Sequence, residues 1–154
     1  EHALARLAPH LPARDGLPEG WTGDKPLPGG DFDLEGWNTL VSGLLRDFPF
    51  LPRPHAERLA RAYGTLAAAL LGTATSMEDL GIPFGATLTE REVRYLMDRE
   101  WAETAEDVLW RRTKLGLHVA PAEAERLHAW MQARAKRASR KRTGTQLPSK
   151  PFRP

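Results

Sequence analysis

Residues 37–48 read WNTLVSGLLRDF, and they decide the fold. Their apolar side chains recur three and four residues apart, which is the spacing of one face of an α-helix. Asp33 offers a side-chain acceptor for the start of such a helix, and Pro49 cannot continue it. The stretch therefore predicts an amphipathic helix that is capped by Asp33 and ends at Pro49. Its inner face consists of Trp37, Leu40, Val41, Leu44, Leu45 and Phe48.

The helical period continues in shorter pieces on the C-terminal side of this stretch. The sequence predicts a helix from Pro54 to Tyr63, an interruption at Gly64, and a short Ala-rich helix over residues 66–71. Ser76 and Asp79 have the spacing that caps a single helical turn. The region from residue 54 to residue 80 is therefore also helical in this interpretation.

Three further start signals divide the C-terminal half. Residues 89–92, Thr-Glu-Arg-Glu, match a capping box and predict a helix whose inner face includes Trp101. Thr104 with Asp107 predicts a new start, and hence a break near residues 102–104. The helix that follows is expected to end at Gly116, a residue type that suits a left-handed terminus. Pro121 suits a first helical position and predicts the last helix.

The fold class that follows is all-α. No segment alternates apolar and polar residues over a useful length, so we expect a small helical bundle-like domain of about five or six helices. An irregular Pro/Gly-rich segment precedes it and a basic tail follows it. One core is expected to bury Trp37, Leu40, Leu44, Leu59, Tyr63, Leu96, Trp101, Leu109 and Leu127.

Composition divides the chain into three parts. Residues 1–33 hold the end of a helix and an irregular packing segment, residues 34–131 the helical domain, and residues 132–154 the basic tail. The tail is expected to extend the last helix and then become disordered. Residues 12–33 lack a steady period although they carry Trp21, Leu27 and Phe32. We therefore expect them to pack against a surface outside the domain fold.

The charges separate in the same way. The chain carries a formal net charge of +2, but residues 1–131 alone carry 14 Lys+Arg and 20 Asp+Glu, a net of −6. The remaining 8 basic residues follow with no acidic residue among them. Residues 136–142, Lys-Arg-Ala-Ser-Arg-Lys-Arg, form the densest cluster. Such a cluster can bind nucleic acid or an anionic membrane, or act as a solubilising extension.

Few residues suggest a chemical site. The chain has no cysteine, which excludes disulfides and thiolate chemistry. Neither Gly29-Gly30 nor the segment Gly81–Gly85 forms a dinucleotide fingerprint or a phosphate-binding loop. The histidines show no zinc-ligand spacing and are interpreted as surface or packing residues: His2, His10, His55, His118 and His128. No catalytic, cofactor-binding or metal-binding residue is predicted in this chain.

Three clusters leave alternatives open. A cationic group near a helix C-terminus could hold an anion or interact with the helix dipole; it contains Arg111, Arg112 and Lys114. An acidic run could hold a metal or form a solvated face; it contains Asp98, Glu100, Glu103, Glu106 and Asp107. Four tryptophans are expected in a core or an interface rather than at a ligand: Trp37, Trp101, Trp110 and Trp130.

The run from Glu100 to Leu117 closely resembles the C-terminal helical domain of the FAD-dependent, aerobic glycerol-3-phosphate dehydrogenases, most specifically at Trp110–Gly116. Further blocks resemble the family in the same order, and together they cover roughly residues 1–131. They are Leu27–Gly30, Phe48–Leu51, Arg61–Gly64, Asp79–Gly81, Phe84-Gly85 and Glu92–Leu96. Glu1–Leu4 resembles the helix that follows the family's last flavin-domain motif, and that motif itself is absent from this sequence.

The resemblance implies a parent enzyme that oxidises sn-glycerol 3-phosphate to dihydroxyacetone phosphate. FAD would accept the hydride and pass electrons to a membrane quinone, on the inner face of the cytoplasmic membrane. The expected partners of this domain are the upstream FAD-binding and substrate domains of the same polypeptide, and a homodimer is left open. The domain itself is expected to bind no FAD. The alternative function is a helical binding module whose basic tail engages nucleic acid or anionic membrane, and nucleic acid is the less expected partner.

Overall fold

The computed structural model describes residues 2–10, 23 and 25–144, with the side chains of all of these except Leu4 and residues 138–144. Over this part the all-α prediction is confirmed, since the only extended pairing described is an isolated antiparallel bridge between Pro83 and Thr89. A π-helical turn spans Asp107–Arg112, and 3-10 turns span Glu78–Leu80 and Leu115–Leu117. The α-helices are α1 His2–Leu7, α2 Trp37–Asp47, α3 Arg53–Tyr63, α4 Leu66–Leu71, α5 Glu90–Arg99 and α6 Pro121–Gly144.

One hydrophobic core joins helices α2 to α6 and the π-helical turn. The predicted core is confirmed at six positions, which are Leu44, Leu59, Tyr63, Leu96, Leu109 and Leu127. Trp37 and Leu40 are half-buried and pack against this core, and the Arg61 guanidinium lies 5.5 Å from the centre of the Trp37 ring. Phe84 and Leu88, between α4 and α5, are fully buried as well. Burial of this continuous apolar surface stabilises α2 to α5, which are individually too short to persist in water.

Trp101 is a correction to the predicted core, because 84% of its surface is exposed. Helix α5 ends at Arg99, and the amides of Glu100 and Ala102 both donate to the carbonyl of Leu96, at 3.0 and 3.1 Å. The chain reverses through Trp101, which holds a left-handed φ of 55°. The helical period that placed Trp101 inside therefore stops before reaching it, and Ala102 is buried instead.

Two predicted helix termini are also wrong. The N-cap of α2 is Gly36 rather than Asp33, whose carbonyl accepts the Gly36 amide in a turn before the helix. At the end of the π-helical turn the left-handed residue is Lys114, with φ 59°. Gly116 lies instead in the following 3-10 turn. Its missing side chain leaves room for the Trp110 ring, since an added Cβ would lie 2.5 Å from Trp110 Cε2.

Residues 25–36 form two tight turns attached to the domain by their main chain. The Gly29 carbonyl accepts a hydrogen bond from the Thr65 amide at 3.0 Å, and no Cβ fits at Gly29 or Gly64, where the two backbones meet. Gly29 is thus attached to the domain by its main chain, and the expectation that residues 12–33 pack against a surface outside the domain fold stays a prediction. The side chains of Leu27, Phe32 and Leu34 are nevertheless exposed. Trp21 and residues 11–22 lie outside the described residues.

Helix α6 begins at Pro121, as predicted, and buries Leu127 and Met131. It continues to Gly144, and residues 145–154 lie outside the described residues, so the expectation that the tail extends the last helix and then becomes disordered stays a prediction. Lys136 and Arg137 are exposed on this extension. Among the described residues, no helix is both long enough and apolar enough to cross a bilayer.

Candidate functional site

The most elaborate polar arrangement in the domain is an ion pair between Arg58 of α3 and Glu92 of α5. Arg58 Nη1 and Nη2 donate to Glu92 Oε1 and Oε2 at 2.8 and 2.6 Å, so the pair is bidentate. The Tyr63 hydroxyl donates to Glu92 Oε1 at 2.8 Å. Glu92 is fully buried, whereas 20% of the Arg58 side chain remains exposed. Three donors thus satisfy a carboxylate that would otherwise be costly to bury.

Burial and charge fix the protonation states around this pair. Burial raises the pKa of Tyr63, and the negative charge and hydrogen bond of Glu92 raise it further, so Tyr63 stays a neutral donor. Burial by itself would lower the pKa of Arg58, but the hydrogen bonds and charge of Glu92 raise it overall. Burial, and then the Arg58 charge, lower the pKa of the neighbouring His55 to about 4. Tyr63, Arg58 and His55 thus keep one protonation state each near neutral pH, which is typical of a structural ion pair.

The same arginine also holds a strained turn. Arg58 Nε donates to Thr87 Oγ1 at 2.7 Å, and Nη2 donates to the Thr87 carbonyl at 3.2 Å. Thr87 and Ala86 have φ values of 68° and 46°, a left-handed conformation that is unfavourable for residues other than glycine. Arg126 of α6 donates to the carbonyl of Pro83 at the base of this turn. The arrangement therefore joins α3, α5 and α6 through the connection between α4 and α5.

The sequence analysis missed this network. It interpreted Glu92 as the last residue of a capping box, but Thr89, the N-cap of α5, makes no side-chain capping bond, and Glu92 points inward to Arg58. The sequence did contain a signal of this network. The helical period places Glu92 on the same inner face of α5 as Leu96, and it places Tyr63 on the inner face of its own helix. A charged residue at such a position predicts a buried partner.

The cationic group near the end of the π-helical turn does not converge on one point. Arg111 pairs with Asp107 and, at 3.4 Å, with Glu106. The Lys114 ammonium donates to the Trp110 carbonyl, as expected for a cation at a helix terminus. Arg112 is exposed. Arg111 and Lys114 thus bond to groups of their own helical segment, which fits the dipole interpretation rather than a shared anion site.

One member of the acidic run, Asp107, caps the helical segment that follows it. Asp107 Oδ2 accepts hydrogen bonds from the Thr104 amide at 2.9 Å and the Glu103 amide at 3.1 Å, which confirms the predicted new start at Thr104. The hydrogen bond from Arg111, followed by those from Thr104, lowers the pKa of Asp107. Asp98 lies 3.8 Å from Arg134 of α6. Within the described ranges, no three His, Asp or Glu side chains cluster closely enough to hold a metal ion.

The histidines lie apart from one another. His55 is buried beside the ion pair, whereas His2, His10, His118 and His128 are exposed. The Nε2 atom of His128 lies 2.8 Å from Gln132 Nε2 one turn later on α6. The interpretation of these residues as packing or surface histidines agrees with where they lie.

The described residues do not fit a flavin. An open depression of about 510 Å³ lies on the outer side of α2, lined by Asn38, Thr39, Ser42, Gly43 and Arg46. It is a shallow helix surface with one cation and offers no loop of backbone amides for a pyrophosphate. A second depression, of about 90 Å³ between Asp79 and Arg94, is too small for an isoalloxazine ring and is bordered by carboxylates. No chemical step can be assigned to FAD on these residues.

Comparison with known proteins gives the domain its relatives. Residues 21–142 match the family described as the C-terminal domain of alpha-glycerophosphate oxidase. The chain is 38% identical over 131 residues to the aerobic glycerol-3-phosphate dehydrogenase of Escherichia coli, covering 85% of this chain and 25% of that protein. It is 41% identical over 133 residues to a glycerol-3-phosphate dehydrogenase of Pseudomonas aeruginosa, covering 86% and 25%.

The name of a third relative specifies a different substrate. The chain is 39% identical over 130 residues to the D-erythritol 1-phosphate dehydrogenase of Brucella abortus, covering 84% of this chain and 25% of that protein. The chain thus spans about a quarter of the length of these curated relatives. The matched residues include the core, the Arg58–Glu92 pair and the π-helical turn. The resemblance seen in the sequence is confirmed, and the chain belongs to the family of C-terminal domains represented by that of alpha-glycerophosphate oxidase.

Proposed function

We propose that this chain is the C-terminal accessory domain of an FAD-dependent glycerol-3-phosphate dehydrogenase. The parent polypeptide would oxidise sn-glycerol 3-phosphate to dihydroxyacetone phosphate and transfer electrons through FAD to a quinone. The observation that carries the proposal is the family match over residues 21–142, together with relatives of which this chain covers about a quarter. The flavin and the substrate would be bound by the remaining three quarters.

The interior of the domain supports an accessory role. Its buried polar groups are engaged with each other: the Glu92 carboxylate receives three hydrogen bonds and none of its neighbours titrates near neutral pH. Such a network fixes the positions of α3, α5 and the intervening turn, and it leaves no acid or base free for hydride chemistry. The domain would act by packing against the catalytic domains.

The experiment is a substrate comparison in the parent polypeptide. The purified parent should contain FAD and reduce a soluble quinone analogue when sn-glycerol 3-phosphate is added. D-Erythritol 1-phosphate, the substrate in the name of one relative, should give a much lower kcat/KM. If D-erythritol 1-phosphate is the preferred substrate, the proposed enzyme class stands and the proposed substrate is wrong. If the parent contains no flavin, the proposal is rejected.

The basic extension of α6 supports a second role, attachment to an anionic membrane. Lys136 and Arg137 are exposed on a helix that continues to Gly144, where residues 140–142 add three further cations. Each basic residue near an anionic surface contributes about 1 kcal/mol, screened within about 8 Å at physiological salt. Peripheral association at the inner face of the cytoplasmic membrane would bring the parent to its quinone. The same tail would bind nucleic acid only weakly, because the cluster contains no aromatic residue on which bases could stack.

A further inference from the structure

Trp101 combines two unfavourable features within this domain. It is left-handed, with φ 55°, at a position after a helix where glycine is the usual residue, because a Cβ crowds the following carbonyl there. Its indole, which has roughly 200 Å² of mostly apolar surface, is 84% exposed. The left-handed backbone lets the chain reverse at the end of α5, but glycine would make that turn with less strain, and the exposed indole adds little to the core. A residue with this combination is best explained by a contact that forms outside the domain.

The surroundings of Trp101 indicate the chemistry of that contact. Glu100 and Glu103 lie on either side of it in the chain, and Glu106, which pairs with Arg111 at 3.4 Å, follows one turn later. Arg99, two residues before Trp101, is an exposed cation. These carboxylates would repel an anionic membrane surface. They would favour an apolar pocket that is bordered by lysine or arginine. A buried tryptophan within a rim of complementary charge is typical of the energetic centre of a protein–protein interface.

We infer that Trp101 anchors this domain in an apolar, basic-rimmed pocket on the remainder of its own polypeptide. The partner of Trp101 is inferred from the comparisons. In the curated relatives the matched region is about a quarter of the polypeptide, so about three quarters of each relative lies outside this domain. The inference rests on the proposed function and deepens it, since it names the surface through which the accessory domain docks. Two further exposed apolar side chains follow along the chain. Trp110, in the π-helical turn, is 45% exposed and its ring lies against Gly116, and Leu117, in the next 3-10 turn, is 70% exposed.

The first test is side-chain labelling by hydroxyl radicals, read by mass spectrometry, on this chain alone and on the parent polypeptide. Trp101 should be labelled strongly in the chain alone and lose that labelling in the parent. Met77, which is 38% exposed on the turn before Glu78–Leu80, is the internal control and should be labelled equally in both. If Trp101 is labelled equally while another face such as Leu27 and Leu34 is protected, the inference is wrong and the proposed docking remains. If no residue of the domain changes, the docking itself is rejected.

The second test measures how one substitution changes the melting temperature of the chain alone and of the parent. Opposite changes are expected in the two proteins. Trp101→Gly should raise the melting temperature of the chain alone by a few degrees, because glycine relieves the left-handed strain. In the parent the same change should lower the melting temperature of this domain and speed its release by protease. Lys114→Gly is the control, since it relieves a left-handed φ of 59° and removes an exposed polar side chain that bonds only to the Trp110 carbonyl. It should shift the melting temperature of both proteins by the same amount and in the same direction.

Trp101 could instead contact a second copy of this chain or a lipid bilayer. Each alternative gives a distinct labelling result, and either result would overturn the inference. Protection of Trp101 in the chain alone that increases with concentration would identify a second copy. Protection that appears only when neutral or anionic vesicles are added would identify a bilayer. A Trp101→Gly variant that destabilises the chain alone as much as the parent would show that Trp101 acts within the domain.

Discussion

Arg58 and Glu92 are joined by two parallel hydrogen bonds across 34 residues of chain, and Glu92 has no contact with solvent. A pair of this kind contributes little net stability compared with apolar residues of the same shape, but removing one partner leaves a buried charge uncompensated. Its main effect here is geometric, because it fixes α3 against α5 and holds the left-handed turn at Thr87.

We expect Glu92→Gln to destabilise the domain by about 3–5 kcal/mol, because the Arg58 guanidinium would lose its counter-charge in the interior. Tyr63→Phe, which removes one donor, should cost about 1–3 kcal/mol. Denaturant unfolding measures both.

In a double-mutant cycle, Arg58→Met combined with Glu92→Met should lower the free energy of unfolding by less than the sum of the two single changes. Strict additivity would contradict the interaction. Asp47→Asn, in the fully exposed pair with Arg46, is the control and should have no measurable effect.

Truncating apolar side chains of the core should also destabilise the domain, even at positions far apart in the chain. Leu44→Ala in α2 and Leu109→Ala in the π-helical turn should each cost about 2–5 kcal/mol, because both side chains are buried in one cluster. Leu34→Ala is the matched control, because 97% of Leu34 is exposed, and its change should stay within about 0.5 kcal/mol. Two core variants that melt within a degree or two of the unaltered chain would show that this core assignment is wrong.

Stability should fall as the pH falls through the titration of His55. Its pKa is about 4 in the folded state, below the ordinary value of 6.5, so the unfolded chain takes up a proton that the folded chain excludes. The stabilising contribution is complete above about pH 6.5 and is lost between there and about pH 4, up to about 3 kcal/mol. Unfolding at a series of pH values measures the slope. His55→Asn should abolish that component, and an unchanged slope in the variant would mean that other groups cause it.

Much of this architecture could be predicted from the sequence, and the failures have physical reasons. The helices from Trp37 to Leu71 follow from apolar period and from Gly and Pro positions, which act locally. Trp101 was misplaced because periodicity cannot indicate that the helix ends at Arg99, two residues before it. Glu92 was misinterpreted because a capping box and a buried charge share one local pattern, and only the contact with Arg58 distinguishes them. The absence of site motifs could be read directly, since such motifs are local in sequence.

The basic extension gives a prediction about membranes. Vesicles containing anionic lipid should retain the chain at low salt and release it at high salt, because screened charges provide the attraction. Replacing Arg140, Lys141 and Arg142 with glutamine removes three of the five cations in residues 136–142 and should strongly weaken retention. The matched control replaces Arg94 and Arg99 of α5, which are exposed on the folded part, and should retain binding. Equal binding of the Arg140–Arg142 variant would assign attachment to another surface.

The flavin content of the purified chain tests the central claim most directly. The chain should fold, as shown by one cooperative melting transition, and yet bind no FAD and reduce no quinone with sn-glycerol 3-phosphate. The parent polypeptide, prepared in parallel, should carry flavin and be active. This outcome is predicted because the sequence lacks a dinucleotide fingerprint and the described depressions do not fit the cofactor. A flavin absorbance band at stoichiometric occupancy in the chain alone would contradict the account.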